Sequence, residues 1–424
     1  MWVAPQRHRA TPNADHTGGW AGALVDPGFR RFFLASTIYH GGVWCAVLLM
    51  SWQSTMASAW SAGPALVQCA FALPVLLVAF FVGRLSDRGP TKSLVVWAVA
   101  AAAAIAVIGG VVGIGMAPTT IDVTSLSLLF GVAFALVMPG WNSWGAELVP
   151  AGRVIEAAVL GAFNHSLTRG ISFLTVGYLL DRLGTRFAFL VCAGLLLIAA
   201  MLFLMTPRRK PTLARGERMV SALAGERVPG GKHIYVLAAN FAATVGVFWS
   251  VLPILLRDMG LGADDFGMTM ALFGFGSAIG TATIHMFGRI MPIRFALLLA
   301  GAILSVSLAG MPLIEGTVGS CVFLVGAAWA IFNAILLGWV ISRAPGGSVG
   351  RACGLYLTVS YGGTLGGSTL AWLSANVFPA ETLLMLCASL VAAGSTLALL
   401  GVSGDLHRQT VRSIRRTTEP GEPN

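Results

Sequence analysis

The sequence predicts an all-α integral membrane protein of twelve transmembrane helices grouped in two six-helix bundles. Three observations predict it: an apolar composition, a regular series of long apolar runs, and basic residues confined to alternate loops. Of 424 residues, 56% are hydrophobic and 10% charged, and the mean hydropathy is +0.80. A soluble domain carries about 25% charged residues because its surface must face water, and this chain cannot cover such a surface. A helical span takes about 20 apolar residues, so a dozen spans use roughly 240. Loops and two tails consume the rest, which leaves no room for a sizeable soluble catalytic domain. Secreted disulfide scaffolds, disordered chains and ordinary cytosolic enzymes are excluded on these grounds.

In chain order, residues 1–28 form a polar tail with Arg7 and Arg9 and without the apolar core of a signal peptide. Apolar runs follow at 32–57, 63–83, 93–117, 123–144, 155–180 and 184–206, giving a first six-helix bundle over 29–206. A basic linker, 207–232, carries Arg208, Arg209, Lys210, Arg215, Arg218, Arg227 and Lys232. Runs at 233–256, 267–288, 295–313, 317–341, 352–378 and 380–402 then make a second bundle over 233–402, and a tail of 403–424 closes the chain.

The net charge of +10 raises the possibility of nucleic-acid binding, but the basic residues sit in short clusters between apolar runs, which is how membrane topology is encoded. With both tails, the linker and every second loop on one side, 23 of the 27 Lys and Arg residues share that side. Only Arg182, Arg186 and Arg257 fall opposite, and Arg169 lies inside a span. That asymmetry assigns both termini to the cytoplasm, with the lipid bilayer as the solvent and no nucleic-acid partner; a bacterial inner-membrane location and a monomeric state are further expectations. The cysteines Cys45, Cys69, Cys192, Cys321, Cys353 and Cys387 lie singly in apolar runs and read as reduced core residues. Gly83-Arg84-Leu85-Ser86-Asp87-Arg88 with Lys92 is echoed 94 residues later by Gly177-Tyr178-Leu179-Leu180-Asp181-Arg182 with Arg186. The copies fall on opposite membrane faces, as an inverted three-plus-three repeat requires. Gly288-Arg289-Ile290 with Arg294 takes the first copy's place in the second bundle.

Gly83, Leu85, Asp87, Arg88 and Lys92 resemble the loop motif of the major facilitator superfamily, although Pro90 stands where its second glycine falls and Thr91 where its first basic residue falls. Phe29-Arg30-Arg31-Phe32, Leu73-Pro74-Val75-Leu76 and Ala146-Glu147-Leu148-Val149-Pro150 extend the likeness to the branch of enterobactin-type siderophore exporters and macrolide efflux proteins. The resemblance implies a secondary transporter working by alternating access, an antiporter driven by a proton gradient that exports a siderophore or drug-like small molecule. It implies no cofactor, no metal and no enzymatic activity. It also makes Gly83, Asp87, Arg88 and Lys92 a conformational latch, against the plainer reading of Asp87 as a solvated loop charge. In span five the branch carries an arginine followed by a glycine-proline pair. Arg169 matches the arginine and Gly177 the last glycine, but Ser172-Phe173 occupies the pair's place. That departure motivates an uptake carrier as the alternative, and a non-transporting membrane sensor is a third reading.

Arg169 stands roughly 20 Å into its span at 1.5 Å per residue, where a charge costs several kcal/mol unless it faces a bundle interior or a wet cavity. No Asp or Glu lies in the core of any span. Either Arg169 faces a central cavity and attracts an anionic or carbonyl-rich cargo, or it bonds helix-end carbonyls or reaches outward. His165, four residues earlier, shares its face, with Ser172 three residues further on and Asn164 and Thr168 alongside. A histidine beside a fixed cation has its protonated form disfavoured and can couple protons to cargo; the plainer reading is a hydrogen-bonded structural residue. His40 and His285 are further titratable candidates, and Asn142, Asn240 and Asn333, with Trp44, Trp141, Trp249 and Trp329, are candidate cavity lining. Gly276 and Gly280 in span eight, and Gly362, Gly363, Gly366 and Gly367 in span eleven, predict close helix approaches. No P-loop, HExxH helix or Ser/His/Asp grouping is present.

Overall fold

A computed structural model describes residues 22–57, 62–86, 91–112, 119–150, 153–207, 232–288, 291–314, 316–342 and 349–394. Every element of regular structure among them is helical. The helices are α1 (Pro27–Met56), α2 (Gly63–Ser86), α3 (Thr91–Val112), α4 (Thr120–Glu147), one rod over Val154–Met205, α7 (Lys232–Asp258), α8 (Ala263–Phe287), α9 (Ile293–Leu313), α10 (Val318–Ser342), α11 (Val349–Ser374) and α12 (Ala380–Gly394). Within the rod Gly184 has φ 80°, ψ 172°, a conformation that only glycine adopts without penalty. It breaks the rod into α5 (154–183) and α6 (185–205), so spans five and six turn on a single residue instead of a loop. Residues 1–21 of the first tail, 208–231 of the linker, the second tail and the motif residues Asp87 and Arg88 lie outside the described residues.

Local chemistry sets the starts of the helices. Asp26 caps α1 by accepting from the backbone N–H of Gly28 at 2.8 Å and of Phe29 at 3.3 Å, ahead of Pro27 in the first turn. Thr119 and Asp122 form a reciprocal capping box at the start of α4. Among the described residues nine helices are long and apolar enough to cross a bilayer, and one of these, Glu156–Met205, has the length of two spans. Helix α11 misses that threshold because its sequence is rich in Gly, Ser and Thr, and α12 is described only as far as Gly394.

The helices form two halves, α1–α6 and α7–α12. Inside the first half α1 packs on the α5–α6 rod, α2 on α4, and α3 on α4 and the rod; inside the second, α7 pairs with α11 and α8 and α9 with α10. Hydroxyls tie neighbours together: Ser127 to the Val67 carbonyl at 2.8 Å, Ser277 to Gly326 at 3.0 Å and Ser368 to Gly246 at 3.2 Å. Each such bond contributes about 0.6 kcal/mol in a membrane. The predicted close approaches fall mostly within the second half: Gly276 and Gly280 seat on α10 at Phe323 and Ala327, and Gly363 and Gly367 on α7 at Ala239 and Ala243. Gly362 faces Leu76 of α2 instead, and Gly366 meets nothing.

The halves meet along two seams, α2 with α11 and α5 with α8. The glycine that opens each copy of the internal repeat sits on a seam. A Cβ on Gly83 would strike the Gly350 carbonyl and come within 3.2 Å of Gly354 Cα; one on Gly177 would lie 2.7 Å from Gly267 Cα and 2.9 Å from the Ala263 carbonyl. Gly83 closes the end of the bundle where α1 begins, hereafter the basic end, and Gly177 closes the opposite end. At that opposite end Trp52 also stacks on Phe266 with centroids 5.2 Å apart, and Arg257 donates from Nη1 to the Thr55 carbonyl at 3.1 Å.

Lys92 does not reach the other half. Its ammonium donates to the carbonyls of Leu204 and Thr206, both at 2.7 Å, and so caps the C-terminus of α6. Replacing Lys92 with alanine leaves two carbonyls without this donor and is expected to cost about 1–2 kcal/mol. A thermal-unfolding comparison with Lys92→Arg, which keeps a donor, checks it: the arginine variant unfolds near the wild-type temperature and the alanine variant several degrees lower.

Candidate functional site

The site is built from α1 and α5, which lie side by side. His40 of α1 is fully buried, Arg169 of α5 is 6% exposed and His165, one turn before it, is half-buried. Arg169 Nη2 and His165 Nε2 are 2.6 Å apart. Guanidinium has only donors, so Nε2 is the acceptor, His165 is neutral in this arrangement, and its proton is on Nδ1. The His40 and His165 rings meet edge to face, with centroids 4.3 Å apart. Trp141 of α4 closes one side, 4.9 Å from His40, and donates from its indole nitrogen to Ser36 Oγ at 2.7 Å.

No carboxylate balances the arginine among the described residues. Its charge is met by rings instead: Cζ lies 4.1 Å from the centre of Trp44 and 5.5 Å from that of Phe273. Cation–π contact of this kind contributes about 2 kcal/mol when desolvated, less than burial of the charge costs. Arg169 therefore neither reaches outward nor bonds helix-end carbonyls; it is held at depth by an imidazole and aromatic faces. Several polar atoms around it are buried without a partner: Arg169 Nε, His165 Nδ1, both nitrogens of His40, Trp44 Nε1, Asn164 Nδ2 and the Tyr39 hydroxyl. The Ser36 carbonyl lies beside His40, outside hydrogen-bond geometry. Buried polar groups of this kind are ordinarily satisfied, and so many in one place mark a site built to contact something polar.

The remaining predicted residues divide. Asn164 Oδ1 accepts from Thr37 at 3.0 Å and Thr168 at 3.2 Å, which fixes α5 to α1. Ser172 uses its hydroxyl on the Thr168 carbonyl at 2.6 Å, and its own carbonyl accepts from Cys45 at 3.4 Å; it faces α1 and not the guanidinium. All six cysteines are free thiols. Asn333 belongs to a separate pair in the second half, accepting from the Tyr356 hydroxyl at 2.8 Å. Asn240 abuts Gly394 of α12, with its amide nitrogen unpartnered. Trp329 stacks on Phe241, and His285 is half-buried near the basic end of α8. The side chain of Asn142 lies outside the described residues.

Sequence reasoning missed the contribution of the second half. Trp249 of α7 and Phe273 of α8 reach across the seam, Trp249 lying 6.1 Å from Trp44 and 5.6 Å from Phe273. Phe173 packs edge to face against both indoles, 6.0 Å from Trp44 and 5.7 Å from Trp249. Behind the guanidinium Gly170 and Gly274 bring α5 and α8 into backbone contact.

Two helical halves that meet on glycine seams around a buried, uncompensated cation define a multi-pass membrane transporter of the major facilitator superfamily. The chain matches the family of transmembrane secretion effectors over residues 17–414 and belongs to it. Solved structures with the same fold include the POT family transporter PepTSo, at TM-score 0.70 and 11% identity, covering 89% of this chain and 98% of that one. An auto-inhibited POT family peptide transporter is similar at TM-score 0.68 and 12% identity, with 88% and 96% covered. The human organic anion transporter MFSD10 (TETRAN) is similar at TM-score 0.66 and 14% identity, with 88% and 100% covered. No curated protein sequence matches the chain significantly.

Proposed function

We propose that the protein exports a small organic molecule across the bacterial inner membrane by alternating access, and that the Arg169–His165 pair links a proton gradient to the cycle. The observation that carries this reading is the 2.6 Å contact between them. While His165 is neutral it holds the guanidinium by its Nε2 lone pair. A proton on that nitrogen removes the acceptor and sets two cations side by side, a repulsion of about 4 kcal/mol at 4 Å and an effective dielectric of 20. Arg169 must then turn away. Proton occupancy thus changes where this buried cation points, and the aromatic contacts it makes cross to the second half. Alternation follows from the seams: rocking separates Gly177 from Gly267 at one end, or Gly83 from Gly354 at the other. The tails and linker lie on the cytoplasmic side, the protein works as a monomer, and it needs no cofactor.

Inverted vesicles with an imposed pH gradient test the coupling. The wild type accumulates cargo against its gradient, whereas His165→Gln, whose amide oxygen still accepts from Arg169 but does not titrate, equilibrates cargo without accumulating it. Accumulation by His165→Gln equal to that of the wild type would remove His165 from the coupling. Uptake is the second reading, favoured by Ser172-Phe173 in place of the glycine-proline pair associated with exchange-type export. Accumulation in right-side-out vesicles would select it.

A further inference from the structure

Trp44 and Trp249 come from different halves and meet with ring centroids 6.1 Å apart and planes inclined by 36°, and the Arg169 guanidinium lies over the Trp44 ring. Carbon surfaces in contact are about 3.5–4.0 Å apart, so a planar ring held between two indoles needs them roughly 7–8 Å apart and nearly parallel. An opening of only one or two ångströms, with flattening of the tilt, turns the pair into a slot. Because one indole moves with each half, rocking provides that opening. Phe173 meets both indoles edge to face, Phe273 meets Trp249, and the Arg169 guanidinium lies 4.1 Å over the Trp44 ring, so the opening also needs Phe173 and the guanidinium to swing aside.

The polar edge of the slot is one-sided. Arg169 Nε and Trp44 Nε1 are donors, both buried without partners, in residues 6% and 7% exposed. A ligand that satisfies these groups brings acceptor oxygens and no cationic group of its own, since a second cation beside Arg169 is repelled.

We infer that the cargo is a planar aromatic molecule carrying an acceptor oxygen, a carboxylate or a conjugated carbonyl, stacked between Trp44 and Trp249 with that oxygen on Arg169 Nε and Trp44 Nε1. This rests on the carrier reading above and names its cargo class. It makes Trp249, in the second half, a specificity-determining residue. Aromatic stacking contributes about 0.5–1.5 kcal/mol beyond area burial, and the oxygen supplies orientation.

Calorimetric titration of the purified full chain in detergent micelles tests the inference with four probes. 2-Naphthoate and neutral 2-acetylnaphthalene are planar acceptors, cyclohexanecarboxylate is a saturated acceptor, and 2-(aminomethyl)naphthalene is planar and cationic. The first two are expected to bind saturably and the last two at least tenfold more weakly. Trp249→Leu weakens the first two at least tenfold, Trp249→Phe by less than threefold, and the same variants correct for partition into detergent. Thermal unfolding confirms that each variant is folded. Equal binding of cyclohexanecarboxylate, equal binding of the cationic probe, or unchanged naphthoate binding in a folded Trp249→Leu each overturns the cargo class. None of these touches alternating access, which is tested by the distances described below.

Discussion

Replacing Gly177 with valine is expected to reduce transport at least tenfold, and to leave the end of the bundle opposite the basic loops unable to close. The added Cβ would lie 2.7 Å from Gly267 Cα and 2.9 Å from the Ala263 carbonyl. Backbone on both sides cannot give way as a side chain can, so the seam must part. Overpacking of this kind costs about 1–3 kcal/mol, and when the cost falls on one of two exchanging conformations it shifts their balance roughly 5- to 150-fold. Gly83→Val places the same obstacle against Gly350 and Gly354 at the basic end and is expected to bias the protein the other way. Thiol labelling from each side of the membrane reads the two biases. Gly194→Ala, where a Cβ meets nothing within 4 Å, leaves both accessibility and transport unchanged. Equal labelling in the two valine variants would show that the seams do not work in opposition.

The second large effect is expected at Arg169. Arg169→Met fills similar volume, removes the buried charge, and is expected to abolish transport while moving the unfolding temperature by only a few degrees. The small net effect follows from magnitudes that nearly cancel. Burial of a charge in a membrane core costs at least about 2.5–3.5 kcal/mol, and the cation–π contacts return about 2 kcal/mol. The hydrogen bond to His165 contributes about 1.5–3 kcal/mol when one partner is charged, but its loss is partly offset because the imidazole remains beside other polar groups. A residue that contributes little to stability and is indispensable to activity belongs to the working part of a protein. Arg169→Lys retains charge without the planar fork and keeps partial transport. A drop of many degrees in Arg169→Met would instead make the arginine a structural element.

Most of the fold was legible in the sequence, because a membrane span is encoded by length and composition that a window of about twenty residues reveals. The repeat glycines Gly83 and Gly177 were also visible. Their role was not, since the surfaces that they meet, Gly350 and Gly267, are remote in sequence and carry no mark of their own. Lys92 illustrates the same limit: its partners Leu204 and Thr206 are 112 and 114 residues away and offer backbone carbonyls, which any residue would offer. At the site, helical spacing joined His165 to Arg169, because residues four apart share a face. It could not join His40 to them, nor bring Trp249 across from the other half, because such pairings depend on how helices are arranged and not on any one helix. Gly184 stands at the start of the sixth apolar run, and its positive φ is what breaks α5 from α6 there, which a hydropathy pattern does not register.

Alternating access is tested most directly by paired distances between spin labels in lipid nanodiscs. Met56 at the end of α1 and Met259 beyond α7 are exposed residues from different halves at the opposite end, and Leu85 on α2 and Phe287 on α8 are their counterparts at the basic end. Alternation predicts two populations for each pair, with the longer distance at one end accompanying the shorter distance at the other, and Gly177→Val and Gly83→Val selecting opposite members. A single, unchanging distance at both ends in the wild type and both variants would contradict it.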